Sequence, residues 1–550
     1  MIKQVRLQRN SALLRGLGSA VTIGSLIALV GLSAPGAVAD TTPPSGTPAT
    51  ASADALPTWQ INGVVWDTLT VGNIVYATGN FSRARPPGKK LGDSSQVTRR
   101  NLLAFDIRTG VVTSFRHDLN AQGRRLALSP DKKTLYVGGD FSTVDGKARQ
   151  RLAAINLSTN TLKAGFKPKV NSVVRAIAAT AGTVYIGGDF SSVGGKARSR
   201  LAAVRAGTGA PTKWAAKADL AVYALVMAPG NKRVIVGGRF QKLNGAKKVG
   251  VGALSASTGK SVKWTSRPIP TRKDATHFSY VTDLVVSDGV VYGTADGESL
   301  KWFDGRFAAK AGNGNLVWLD NCYGATYSGF VRGKVFYSVG HAHDCSSIKA
   351  FPETRPRTHH RALAETTYAT GRDSTKKGTN SNYSKQPVPS LLHWFPTLNT
   401  GKFTGQNQGA WAITGNGSYL ALAGEFTQVN GKAQQGLTRF GTKAVAPNKV
   451  GPRASSGLVP KATSTKRGVV HLTYKRTWDQ DNTQLTYEIS RDDRKVHSVK
   501  AKSNFWYLKG LSFDDKGLTP GSRHSYKITV TDPFNNIRYS GASNTVTVHN

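Results

Sequence analysis

The sequence predicts an all-β protein, a seven-bladed β-propeller over residues 57–445 followed by a smaller β-sandwich over residues 453–550. Three observations predict it. A short motif recurs at spacings of about 50 residues. Around each copy, alternating apolar segments of strand length are separated by Gly-rich turns. The repeat then stops, and after a Pro/Gly-containing stretch at 446–452 a different set of short strands begins.

The chain opens with Lys3, Arg6, Arg9 and Arg15, continues through an apolar run from Ala20 to Leu32, and reaches Ala37-Val38-Ala39 before Asp40. This pattern predicts a signal peptide over residues 1–39 and a protein that is secreted, extracellular or cell-wall associated. The run is shorter than the roughly 18 to 20 apolar residues a bilayer span needs, and no transmembrane segment is expected. Residues 40–56, rich in Thr, Pro, Ser and Ala, are expected to form a flexible leader because they offer little apolar surface to bury. The formal charge of +43 sets up a field that attracts polyanions and weakens with salt.

The clearest copies of the repeat are Leu135-Tyr-Val-Gly-Gly-Asp-Phe141, Val184-Tyr-Ile-Gly-Gly-Asp-Phe190, Val234-Ile-Val-Gly-Gly-Arg-Phe240 and Leu420-Ala-Leu-Ala-Gly-Glu-Phe426. A first copy stands at Val75-Tyr-Ala-Thr-Gly-Asn-Phe81, and two degenerate ones at Val290-Val-Tyr-Gly-Thr-Ala-Asp296 and Val335-Phe-Tyr-Ser-Val-Gly-His341. In the second module Val174 to Ala179, Thr183 to Phe190, Arg200 to Arg205 and Thr212 to Ala215 read as the four short strands of one blade. The Gly-Gly pair marks a bulge or a close backbone approach, and the Phe that follows marks a packing anchor. Phe115, Phe166, Trp214, Trp264 and Trp318 precede most first strands and read as core between blades. The segment from Trp59 to Leu69 is expected to help close the ring with the last module. The series Tyr-Val-Gly-Gly-Asp-Phe, Gly-Lys-Ala-Arg and Leu-Ala-Ala resembles the bacterial propeller repeats called delta-60 repeats, found in secreted actinobacterial proteins. The resemblance implies a propeller and an extracellular setting, and little about activity.

In the last hundred residues, Val469 to Tyr474, Leu485 to Ser490, Ser525 to Thr531 and Ser543 to Val548 read as strands, with Trp478 and Tyr487 as core aromatics. Leu518-Thr-Pro-Gly-Ser-Arg-His-Ser-Tyr526 resembles the corner of a fibronectin type III domain, in which a Tyr at a strand start bonds back across the turn. That resemblance implies a spacer or adhesion module.

Two clusters carry candidate chemistry. The turns between second and third strands hold Lys147 and Arg149, Lys196 and Arg198, Lys247 and Lys248, and Lys432, which are expected to form a basic crown on one face. Module six gathers Asp320, His341, His343 and Asp344 with Cys322 and Cys345, and the two cysteines are expected to form a disulfide. Imidazoles beside carboxylates could bind a ligand, hold a metal or act as acid and base. A long polar excursion over 351–386 is expected to form a flap over the propeller mouth. Asp140 and Asp189 recur in register with Asn80, Arg239 and Glu425, which reads as a positional habit of the repeat. There is no Gly-x-Ser-x-Gly elbow, phosphate loop or dinucleotide fingerprint. No catalytic residue, metal or cofactor is assigned. The reading is a secreted, non-catalytic binding or adhesion protein whose propeller face recognises a surface polymer or glycan, anionic or neutral, with nucleic acid the weaker candidate. The alternatives are an extracellular glycoside hydrolase or polysaccharide lyase with its site near module six, and a protein-protein scaffold.

Overall fold

The computed structural model describes residues 43–265, 278–298, 302–374 and 383–550. The expected signal peptide, residues 1–39, lies outside them. The chain is all-β, built of many small antiparallel sheets, with no α-helix among the described residues. No helix among those residues is long and apolar enough to cross a membrane.

Seven of the sheets share one plan, a meander in which the first strand pairs with the second and the second with the third. Their first two strands are Val64–Val71 and Ile74–Asn80, Gly123–Leu128 and Thr134–Gly139, Val174–Ala179 and Thr183–Gly188, Val222–Met227 and Arg233–Gly238, Phe278–Ser287 and Val290–Glu298, Thr326–Arg332 and Val335–Ala342, and Ala410–Gly415 and Tyr419–Gly424. Each first strand packs against the first strand of the next sheet, and that of the seventh packs against that of the first. On the third strands small residues let neighbouring sheets approach closely: Ala153, Ala154, Ala202 and Ala203 are fully buried. Larger rings fill the space between successive sheets, and the same pair recurs as Tyr76 with Phe115, Tyr136 with Phe166 and Tyr185 with Trp214, at ring-centroid separations of 5.0, 5.6 and 5.4 Å. The periodic aromatics of the sequence are therefore core, as are Phe81, Phe141, Phe190, Phe240 and Phe426.

The segment from Trp59 to Leu69 meets the seventh sheet as expected: the Ile61 amide donates to the Gln435 carbonyl at 3.2 Å, and Val64–Val71 packs against Ala410–Gly415. The contact extends further upstream than expected, where the Leu56 and Ser52 amides donate to the carbonyls of Arg439 and Gly441 at 2.9 and 2.8 Å. Residues 50–56, expected to be flexible, thus run along the seventh sheet with one bridge, Leu56 to Arg439, and Thr50, Ala51, Ser52, Ala53 and Asp54 are buried. Composition misled here because small side chains are what a segment squeezed between two packed bodies requires. A second difference is in the expected 351–386 flap, of which residues 375–382 lie outside the described residues: His360–Thr366 is the third strand of the sixth sheet, paired with Val335–Ala342. Polar ends hide its buried Ala362-Leu363-Ala364 centre.

The C-terminal region forms a three-stranded sheet (Lys461–Lys466, Val469–Lys475, Gly510–Lys516) and a four-stranded one (Arg494–Lys502, Gln484–Arg491, Tyr526–Thr531, Ile537–Tyr539) around a core that includes Tyr487, Tyr526 and Val470. The Tyr526 hydroxyl donates to Asp515 Oδ2 at 3.0 Å, tying the two sheets through a side chain rather than through a backbone corner. Trp478, expected in this core, instead joins Phe505 and Trp506 against Phe351 and Phe395 beside the sixth sheet. Phe505 also stacks on His360 at 4.5 Å. The 446–452 stretch is pinned as well: Asp54 accepts the Lys449 and Val450 amides at 2.7 and 2.8 Å, and Asn536 Nδ2 donates to Asn448 O at 2.8 Å. The C-terminal region is therefore docked on the seven sheets. Cys322 and Cys345 are bonded to each other and belong to this same apolar contact.

Candidate functional site

Each of the seven first strands carries a bulge at the same place, where two of its residues face one on the second strand. The shifts fall between Val65 and Asp67, Gly123 and Arg125, Val174 and Ala176, Val222 and Ala224, Val281 and Asp283, Thr326 and Ser328, and Ala410 and Ala412. A bulge leaves one residue out of the ladder and re-aims its side chain. The residues so released are Trp66, Arg124, Arg175, Tyr223, Thr282, Tyr327 and Trp411, and all seven line one cavity of about 290 Å³ together with Tyr280, Asp296 and Gln406. The repeat motif makes the bulge possible. A Cβ at Gly188 would run into the Val173 carbonyl oxygen, and one at Gly79 into that of Val64, so the second glycine of the motif stays small to admit the displaced backbone.

A second tier holds these side chains in place. It comes from the position after the Gly-Gly pair, at the exit of each second strand. Arg124 Nε donates to Asp140 Oδ2 at 3.2 Å, Arg175 Nε to Asp189 Oδ2 at 2.7 Å, and Trp411 Nε1 to Glu425 Oε1 at 3.2 Å. The Tyr280 hydroxyl donates to Asp296 Oδ2 at 2.5 Å, and the Arg239 guanidinium lies 5.1 Å from the Tyr280 ring. The recurring Asp/Glu/Arg position of the motif is therefore a set of orienting groups.

The cavity wall divides by chemistry. On one side Trp66, Trp411 and Tyr327 pack ring to ring, at 5.0 Å for the two indoles and 4.2 Å for Tyr327 with Trp411. Beside them Arg124 lies over Trp66 at 4.7 Å, and Arg175 lies 5.7 Å from the Tyr223 ring. Burial lowers Arg124 below its ordinary value; Asp140 opposes that and the neighbouring Arg175 charge adds to it. Burial, reinforced by Asp296, raises Tyr280, so its phenol stays protonated as a donor.

One residue further along the strands, Asp67, Arg125 and Asp283 cross-link the centre. Arg125 donates to Asp283 Oδ1 at 2.6 Å and lies 3.7 Å from Asp67 Oδ2, while Ser328 Oγ donates to Asp283 Oδ2 at 3.0 Å. Burial raises Asp67 to about 6 against the pull of Arg125, with Asp283 adding to the rise. Its oxygens accept the Leu126 and Thr68 amides at 2.7 and 2.9 Å.

The residues expected in module six do not converge. Asp320 ends the outer strand of the fifth sheet, is fully buried and pairs with Arg306, which also meets Glu365 Oε1 at 3.3 Å. His343 is buried against Tyr323 and lies 3.3 Å from Glu353, and Asp344 accepts the Ser346 amide at 3.0 Å. Only His341 approaches the cavity wall, behind Tyr327. Its Nε2 accepts the Ala325 amide at 3.2 Å, which leaves Nδ1 to donate to Gln408 Oε1 at 3.0 Å. Both nitrogens are thereby engaged, and burial, with His359 nearby, lowers its pKa to about 4. Asp320, Cys322 and Cys345 lie close together, but their sulfurs are spent in the disulfide.

The expected crown is divided in the same way. Lys147, Lys196, Lys247 and Lys432 are exposed at hairpin tips. Arg149 and Arg198 instead fold back, donating to the Lys163 and Thr212 carbonyls at 3.1 and 2.8 Å, and Lys248 Nζ donates to the Trp264 carbonyl at 2.7 Å. These three hold the outer segment of each module and are not a presented surface. Neither a protein-family model nor a curated protein matches the chain, so its function rests on this geometry.

Proposed function

We propose that the chain is a secreted seven-bladed β-propeller with a docked fibronectin type III-like sandwich, and that its central cavity binds an anionic sugar unit of an extracellular polymer without transforming it. The propeller reading is supported by seven like sheets whose first strands pack in sequence and return to the first. The observation that carries the function is the ring of bulge residues, with aromatic faces on one side and two guanidinium groups on the other. Aromatic faces suit the C–H side of a pyranose ring, while a paired guanidinium wall suits a carboxylate. A volume of about 290 Å³ is at the small end for ligand pockets and fits a single terminal or looped-out sugar rather than a threaded chain. Acid-base chemistry is not favoured, because Asp67 has its oxygens on backbone amides and Asp140 and Asp189 are committed to arginines.

Titration of uronate-terminated and neutral oligosaccharides into the protein, followed by tryptophan fluorescence, tests this reading. Uronate-terminated ligands should change the Trp66 and Trp411 emission and bind more tightly than neutral ones. Trp411→Ala should weaken binding by roughly tenfold to a hundredfold. The double variant Arg124→Gln/Arg175→Gln should abolish the preference for the charged sugar. Equal affinity for both ligand classes, unaffected by the arginine changes, would sink the proposal.

A further inference from the structure

A second concavity, about 770 Å³, lies where several parts of the chain meet: the segment Asp54–Pro57, the turn at Pro87 and Gly88, the hairpin that carries Lys432, the stretch from Lys449 to Ala454, and Gln480 and Arg538 of the C-terminal region. Four of its lining residues are cationic, Lys432, Lys449, Arg453 and Arg538, against one acid. That acid, Asp54, is occupied by the amides of Lys449 and Val450 and is itself buried. The neutral polar groups are also spent: Gln480 Nε2 donates to the Phe395 carbonyl at 2.8 Å and Gln434 Nε2 to the Thr58 carbonyl at 3.0 Å. Lys432, Lys449 and Arg453 are exposed and make no ion pair among the described residues. Like charges gathered on a concave wall focus potential on whatever enters it. No described lining residue is aromatic, which removes the stacking platform that unpaired nucleobases need.

We infer that this cleft is a binding site for a chain of oxyanions, a phosphate- or sulfate-bearing polymer without stacking bases, separate from the central sugar cavity. The docking fixes the backbone that carries these cations, and Arg538 Nε donates to the Pro452 carbonyl at 3.1 Å. The cleft extends the proposed function by giving the protein a salt-sensitive grip on a polymer backbone that does not depend on recognition of a sugar unit.

The test is binding of inorganic polyphosphate and of dextran sulfate to the full chain at low and at high salt. Three variants are compared: Lys449→Gln/Arg453→Gln in the cleft, Lys147→Gln/Lys196→Gln at hairpin tips as a control of equal charge, and Trp411→Ala in the central cavity. The expected result is a loss of tenfold or more for the cleft variant alone, at low salt, with unchanged uronate-dependent tryptophan fluorescence. Stronger retention of polyphosphate identifies phosphate as the recognised group, and of dextran sulfate, sulfate. An equal loss in the hairpin control would show that net charge alone attracts the polymer and overturn the site. A loss with Trp411→Ala would place the anion in the central cavity and overturn it equally.

Discussion

Asp67 and His341 are buried groups whose protonation opposes each other in stability. Asp67 is raised to about 6 in the folded chain from an ordinary value of 3.8, so the native state binds its proton more tightly than the unfolded one. Its contribution is present at low pH and is lost as pH rises towards about 6, on the order of 3 kcal/mol for a shift of this size. His341, lowered to about 4 from 6.5, works in the other direction: its contribution is present above 6.5 and is lost as pH falls through about 4. Asp67→Asn should therefore gain melting temperature relative to the wild type as pH goes from 4 to 7, and thermal unfolding across that range checks the sign. The sequence draws no attention to Asp67 and points to His341 for the wrong reason. His341 was singled out as a ligand because it stands beside His343, whereas its hydrogen bonds to Ala325 and Gln408 depend on a bulge that alternation does not reveal. Arg149 was misassigned for a similar reason, since a Gly-Lys-Ala-Arg turn looks solvated until its last residue is seen to reach back to Lys163. Arg149→Ala should cost about 1.5–3 kcal/mol of stability, by chemical denaturation, and leave polyanion binding unchanged.

At the scale of the element, the Gly-Gly motif reads correctly as a bulge and a close backbone approach; what it leaves unread is which side chain the bulge releases. The orienting residue follows the cavity residue it holds by 14 or 16 positions, as in Arg175 with Asp189 and Arg124 with Asp140, and that spacing was the readable signal. It is easily missed because the released side chain breaks the period-two pattern by which strands are recognised. Gly188→Ala should be strongly destabilising, roughly 2–4 kcal/mol, since its new methyl meets backbone and not a movable side chain. The disulfide is a second case in which an element does more than its sequence suggested. Its pairing was foreseen, but its position against Phe351 and Phe395, under Phe505 and Trp506, was not. Cys322→Ser/Cys345→Ser should lower stability by about 2–4 kcal/mol and expose tryptophan, seen as a red-shifted emission before global unfolding.

For the whole molecule, the repeat disclosed seven like units, but the relation between the large and small bodies was invisible because its partners are far apart in sequence. Gln480 pairs with Phe395, Asp481 accepts from Ser52 and Ala53 at 3.0 and 2.5 Å, and Asn430 Nδ2 donates to the Ala53 carbonyl at 2.7 Å. A spacer would unfold independently; this arrangement predicts that heat-induced loss of sheet structure and of tryptophan environment coincide, and that removing residues 453–550 leaves a chain that aggregates. The buried segment at Thr50–Leu56 has a further consequence for how the protein comes into being. It is made early, yet its hydrogen-bond partners at Arg439, Gly441 and Asp481 are made roughly four hundred residues later. Until those arrive, its amides have only water, and closing so long a loop is entropically costly and slow. The contact that joins this early segment to the seventh sheet and to Asp481 can therefore form only after the stretch from Arg439 to Asp481 has been made.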